Sequence, residues 1–106
     1  MIKFIAGGVF VLASTLIHPT LQAQNFTPEQ IKVGTDTYAR NCSPCHGVRM
    51  KNPEGAFDLL TFPVDQKSRF VNSVTNGKNS MPPWGGMLKS EEIEALWAYL
   101  VAGEKK

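Results

Sequence analysis

The sequence predicts an all-α fold with long loops. Apolar residues recur at helical spacing in three segments, and each segment is bounded by residues that cap or stop a helix. The stretches between them carry Pro and Gly in positions that break regular structure. No alternating apolar and polar run is long enough to make a useful strand. With 106 residues, 42% of them hydrophobic, the chain holds one small domain, which argues against a two-domain enzyme with its own substrate domain. A net charge of +2 with scattered basic residues argues against a general nucleic-acid binder or a polybasic membrane-surface protein. The hydrophobicity argues against disorder.

Residues 1–23 read as a cleaved secretory signal peptide. Lys3 gives a positive start, Phe4 to Ile17 is apolar, and Leu21-Gln22-Ala23 resembles a small-residue cleavage site before Gln24. The alternative, an uncleaved anchor helix, needs about 20 apolar residues, and His18-Pro19 interrupts this run. The domain is therefore expected over 24–106, exported to the periplasm without stable membrane insertion. Processing removes His18 and leaves His46 as the one histidine of the mature chain.

In the mature chain, Asn25 to Asn41 reads as the first helix. Thr27 is the N-cap, Pro28 suits the first helical position and Gln30 completes a capping box. Ile31, Gly34 and Tyr38 share one face, with a glycine where another helix can approach closely. Gly47 to Pro63 loses periodicity and reads as a loop that wraps something. Val64 to Asn76 regains helical spacing through Phe70, Val71 and Val74 before an Asn76-Gly77 stop. Pro82, Pro83, Gly85 and Gly86 make the stretch from Lys78 to Lys89 an irregular loop. Ser90 is the expected cap of the last helix, with Glu91 and Glu92 in its first turn and an apolar stripe of Ile93, Leu96, Trp97, Leu100 and Val101 ending at Gly103.

Cys42-Ser43-Pro44-Cys45-His46 is a C-x-x-C-H sequence, the attachment signature for c-type haem. Two cysteines three apart can form thioethers to both vinyl groups on one porphyrin edge, and the following histidine then lies under the iron. A thioredoxin-like redox pair needs a βαβ context that these helices and loops do not offer. A zinc site needs four ligands, and the motif supplies three in a spacing too tight for one tetrahedron. A chance pair of structural cysteines is the remaining alternative.

The sixth iron position then has to be filled or open. Met50 lies four residues beyond His46 and should stay on its side of the ring. Met87 follows two glycines and is loosely held. Met81 is the better candidate, because Pro82-Pro83 stiffen the loop that would present its sulfur. Phe57, Leu60, Phe62 and Trp84 are expected to mask the porphyrin edge, and Trp84, Arg69 or Lys78 to partner a propionate. So short a chain is marginal for a self-sufficient core, so haem is expected to complete it and the apoprotein to be largely unfolded.

Tyr38-Ala39-Arg40-Asn41 before Cys42-Ser43-Pro44-Cys45-His46-Gly47, then Asn76-Gly77-Lys78-Asn79-Ser80-Met81-Pro82-Pro83-Trp84, then Glu91 to Leu100, resembles a class I cytochrome c over essentially the whole mature chain. The resemblance implies a cytochrome c fold of three to four helices, with first and last helices crossed and one covalent haem c between a His side and a Met side. It also implies that Gly34 and Tyr38 meet Leu96, Trp97 or Leu100. Where many relatives carry Gly-Pro-x-Leu after the motif, this chain has Gly55-Ala56-Phe57-Asp58-Leu59, so the carbonyl that orients the histidine is not fixed by the pattern; Pro53 is a candidate.

His46 and Met81 as axial ligands leave no open coordination position, so outer-sphere transfer of single electrons is the expected function, and no enzymatic activity. The alternative is a haem peroxidase or gas-binding protein with a labile sixth ligand. Expected partners are redox proteins: a dehydrogenase as donor, and an oxidase or another cytochrome as acceptor. The stretch from Phe57-Asp58-Leu59 to Met81-Pro82-Pro83-Trp84-Gly85 is similar to haem modules that accept electrons from quinoprotein alcohol dehydrogenases.

Overall fold

A computed structural model describes residues 25–53 and 55–104. The expected signal peptide and its cleavage site lie outside the described residues. Four α-helices and short turns make up the described chain, and a single isolated bridge between Lys78 and Met81 is its only β-type pairing. No described helix is long and apolar enough to cross a membrane.

Helix α1 spans Pro28–Asn41. Thr27 is extended, its hydroxyl accepts the Gln30 N–H at 3.0 Å, and Pro28 opens the first turn. After Cys42, the one-turn helix α2, Ser43–His46, continues nearly without a break. The Ser43 hydroxyl ties it back to the Ala39 carbonyl at 2.8 Å. The C-x-x-C-H motif is thus a helical turn carried on the end of α1.

Helix α3 is Lys67–Asn76, three residues shorter at its start than the periodicity suggests. Val64 and Asp65 are used in a turn closed by the Gln66 N–H on the Pro63 carbonyl at 3.2 Å. Helix α4 is Ser90–Ala98, and its N-cap is Lys89, not Ser90: Lys89 is extended, and the Glu92 carboxylate reaches back to its N–H at 2.8 Å. The chain then continues in a wider, π-type turn, Tyr99–Gly103. Every residue from Ala95 to Leu100 is buried, so α4 is apolar nearly all round and forms the centre of the molecule.

Helices α1 and α4 cross at Gly34. A methyl group there would collide with the Ala95 carbonyl oxygen and lie 2.9 Å from the Tyr99 Cβ. Tyr38, one turn on, packs its ring at 5.1 Å from that of Tyr99. The crossing expected from the resemblance is present, but its partners are Ala95 and Tyr99, because contact at Gly34 brings the α4 backbone itself against α1. On the other side of α4, Trp97 is fully buried against Phe70 of α3 at 5.3 Å and Phe62 at 6.1 Å.

Candidate functional site

Between α1, α3, α4 and the two long loops lies a cavity of about 730 Å³, within the range of sites that hold a small molecule or cofactor. Leu96, Tyr99, Leu100, Phe70 and Val74 form its apolar back wall. Cys42, the residue between α1 and α2, lines it with Cys45 and His46 of α2, and Met81 and Trp84 line it from the loop after α3.

The cysteines are not joined as a disulfide. Burial, followed by the neighbouring Cys45, pushes the Cys42 thiol up to about 11. A redox dithiol needs the opposite shift, toward a stable thiolate. No cluster of three or more His, Cys, Asp or Glu that could hold a metal ion occurs among the described residues.

His46 Nδ1 lies 3.2 Å from the Phe57 carbonyl oxygen. A carbonyl can only accept, so Nδ1 carries a proton, and in the neutral ring Nε2 is then the nitrogen with the lone pair a metal needs. Phe57, not Pro53, therefore supplies the orienting carbonyl; the Pro53 oxygen is taken by the Ala56 N–H at 3.0 Å. Behind the motif, Gly47 turns the chain with φ 91°, and its carbonyl accepts the Tyr38 hydroxyl at 2.6 Å. Burial pushes the Tyr38 phenol up to about 12, so it stays a donor. Arg49 pairs with Glu104 at 2.9 Å, and the other oxygen of that carboxylate accepts the Tyr99 hydroxyl at 2.9 Å. Glu104 thereby straps Tyr99 to Arg49, three residues beyond His46. This strap was not legible from sequence, because it depends on the π-type turn that redirects the chain after Tyr99.

Met81 is presented by a separate device. Lys78 and Met81 exchange both backbone hydrogen bonds, at 3.1 and 2.9 Å, closing a tight turn in which Asn79 has φ 55°. The loop is then fixed to the end of α3: Trp84 N–H donates to the Val74 carbonyl at 2.8 Å and Gly85 N–H to that of Thr75 at 3.0 Å. Met50 also lines the cavity, but it is 1% exposed and its N–H is bound to the Gly47 carbonyl at 3.0 Å, so it belongs to the His46 segment. Met87 is 72% exposed and does not line the cavity.

Of the expected edge residues, Phe57, Phe62 and Trp84 line the cavity and Leu60 does not. Leu59–Thr61 is a 3₁₀ turn, in which positions three apart share a face. Leu59 and Phe62 therefore turn toward the cavity together, and Leu60 packs elsewhere against the core. Arg69 and Lys78 sit on the lining as its cations, with no Asp or Glu among the described residues that line it.

A haem c fits this donor set and this cavity: two thiols and an imidazole on one turn, a thioether on a separate loop, apolar walls, and two cations that suit a pair of carboxylates. Helices wrapped about such a site define the class of protein as a small c-type cytochrome. Comparison with known proteins agrees. Residues 19–100 match the family described as cytochrome c oxidase, cbb3-type, subunit III. Cytochrome c6 of Microcystis aeruginosa is 33% identical over 78 residues, which cover 69% of this chain and 96% of that protein. Cytochrome c6 of Synechococcus sp. is 33% identical over 104 residues, covering 91% of each. The cbb3-type cytochrome c oxidase subunit FixP of Azorhizobium caulinodans is 36% identical over 75 residues, only 26% of its length. The chain belongs to the class I c-type cytochrome family, and its cofactor is haem c.

Proposed function

We propose that the chain is an exported, periplasmic single-electron carrier, with residues 24–106 as the functional domain after loss of residues 1–23. Cys42 and Cys45 hold the haem as thioethers, and His46 and Met81 are the axial ligands. The observation that carries this reading is the convergence on one apolar cavity of Cys42, with Cys45 and His46 of α2, and of Met81 from the loop after α3. When bound, the haem supplies a one-electron Fe(III)/Fe(II) couple, and an axial thioether in a buried site favours the reduced form.

The protein's own residues set the conditions for that exchange. The Phe57 carbonyl holds the proton of the neutral His46 ring on Nδ1, which would leave Nε2 available to the iron without a proton rearrangement. Phe70, Leu96 and Leu100 exclude water from the back of the site. The two bonds from Trp84 and Gly85 to α3 hold the Met81 loop in one arrangement, which favours rapid exchange with little reorganisation. Donors and acceptors are redox proteins: a dehydrogenase, including the quinoprotein type, on one side and an oxidase or another cytochrome on the other. The likeness to an oxidase subunit supports the acceptor.

Filled axial positions separate this function from a haem peroxidase or gas-binding protein. Carbon monoxide added to the reduced holoprotein is expected to leave the spectrum unchanged over minutes. A prompt shift would mean a labile sixth position and would replace the carrier reading with the gas-binding one.

A further inference from the structure

Phe57 is poorly held for a residue whose carbonyl orients His46. Its side chain is 49% exposed. Between Asn52 and Ala56, the one backbone bond donated by the described residues is Ala56 N–H to the Pro53 carbonyl; the bond before it, Lys51 N–H to the Val48 carbonyl, belongs to the preceding turn. The chain after it is rigid. The Asp58 carboxylate accepts the Leu60 N–H at 3.0 Å, the Thr61 hydroxyl returns to the Asp58 carbonyl at 2.9 Å, and Phe62 packs edge-on to Phe70 at 6.0 Å and to Trp97 at 6.1 Å. Phe57 therefore sits at the joint between a loose segment and an anchored one.

Arg69 spans that joint. Its guanidinium lies over the Phe62 ring at 4.7 Å and the Phe57 ring at 5.8 Å, while Nη1 donates to the Gln66 side chain at 2.9 Å. The two rings are themselves edge-on at 5.8 Å. A planar cation can face both rings and still keep a fork of donors, which a lysine ammonium cannot. Among the described residues, the contacts of Arg69 are the two rings and the Gln66 side chain.

We infer that Arg69 is a positioning residue: by stacking across Phe62 and Phe57 it clamps the segment whose carbonyl holds the His46 Nδ1 proton, and so tunes the electron-donating strength of His46. This rests on the reading of His46 as an axial ligand. The clamp has a signature that a plain charge effect lacks. A carbonyl bound to Nδ1–H raises ligand basicity and favours Fe(III), so loosening it raises the reduction potential. Removing a positive charge near the site disfavours the added electron, so it lowers the potential.

The test uses the holoprotein and the variants Arg69→Lys, which keeps the charge, Arg69→Met, which removes it, and Phe57→Leu, which keeps the backbone carbonyl but loses the ring. Reduction potentials and the solvent exchange rate of the His46 Nδ1 proton, followed by NMR of the reduced protein, are the readouts. Arg69→Lys is expected to raise the potential and to speed the exchange roughly two- to fivefold, the worth of one exposed cation–ring contact. Phe57→Leu is expected to move both in the same direction, and the double variant to add little to either. Arg69→Lys with wild-type potential and exchange, or a potential that falls only in Arg69→Met with exchange unchanged, overturns the clamp. If wild-type His46 resonances show no iron-induced shift, the ligand reading itself fails, whatever the Arg69 variants do.

Discussion

The His46 segment and the Met81 loop face the same cavity but are held by different means. His46 sits on a helical turn continuous with α1, backed by the buried Tyr38 hydroxyl, by the Arg49–Glu104–Tyr99 strap and by the Phe57 carbonyl. Met81 has none of those side-chain ties. Its loop is fixed by backbone bonds, two within the turn and two to the end of α3, and by the packing of Met81, Trp84 and Leu88 on the core. The lesson is that one side of the site is held by more side-chain ties than the other, which relies on its backbone bonds and on packing against the core. Any opening of the iron should occur on the Met81 side.

The largest test of that contrast is Gly47→Ala. Gly47 has φ 91°, and a methyl group there would run into the Lys51 carbonyl oxygen. Left-handed strain and overpacking together are expected to cost about 3 kcal/mol. At about 4–8 °C per kcal/mol for a domain of this size, thermal unfolding followed by circular dichroism should show a large fall in Tm. Gly77→Ala is the matching change on the other side. With φ 82° and a methyl group 2.7 Å from the Met81 carbonyl oxygen, it should cost about 1–2 kcal/mol. Its distinguishing effect is a partial loss of Met81 ligation in the oxidised spectrum at temperatures where the helical signal is intact. Equal effects of the two changes on ligation would contradict the contrast.

Glu104→Gln is the smallest change, about 0.5–1 kcal/mol, because the Arg49 partner is largely exposed. The hydrogen bond from Arg49 holds the Glu104 carboxyl below its ordinary value of 4.5. The folded value is depressed, so the strap's contribution is present above the ordinary value and is lost as pH falls through the folded one. Unfolding by urea across that range should show the wild-type advantage over Glu104→Gln shrinking as the solution is acidified. An advantage that grew on acidification would remove the strap.

Much of the scaffold was legible because it rests on periodicity and side-chain chemistry. Thr27 and Pro28 mark the start of α1, and the apolar residues of α4 mark the central helix. The spacing of Cys42, Cys45 and His46 carries the role proposed for them. What escaped depends on the backbone. Any residue can offer a carbonyl, so nothing in the residue types singles out Phe57 over Pro53. Leu59 and Leu60 are chemically alike, and only the threefold turn decides which of them lines the cavity. Arg49 and Met50 adopt positive φ although neither is Gly or Asn, the residues that favour it, and the path they set buries Met50 behind the site.

The most direct measurement of the central claim, that Met81 fills the position across from His46, is the absorption spectrum of oxidised Met81→Ala holoprotein beside the wild type. Wild type should show the Met-to-iron charge-transfer band, and the variant should lose it and bind carbon monoxide promptly when reduced, with both cysteine thioethers intact. A variant that keeps the band would place the sulfur ligand elsewhere and contradict the assignment.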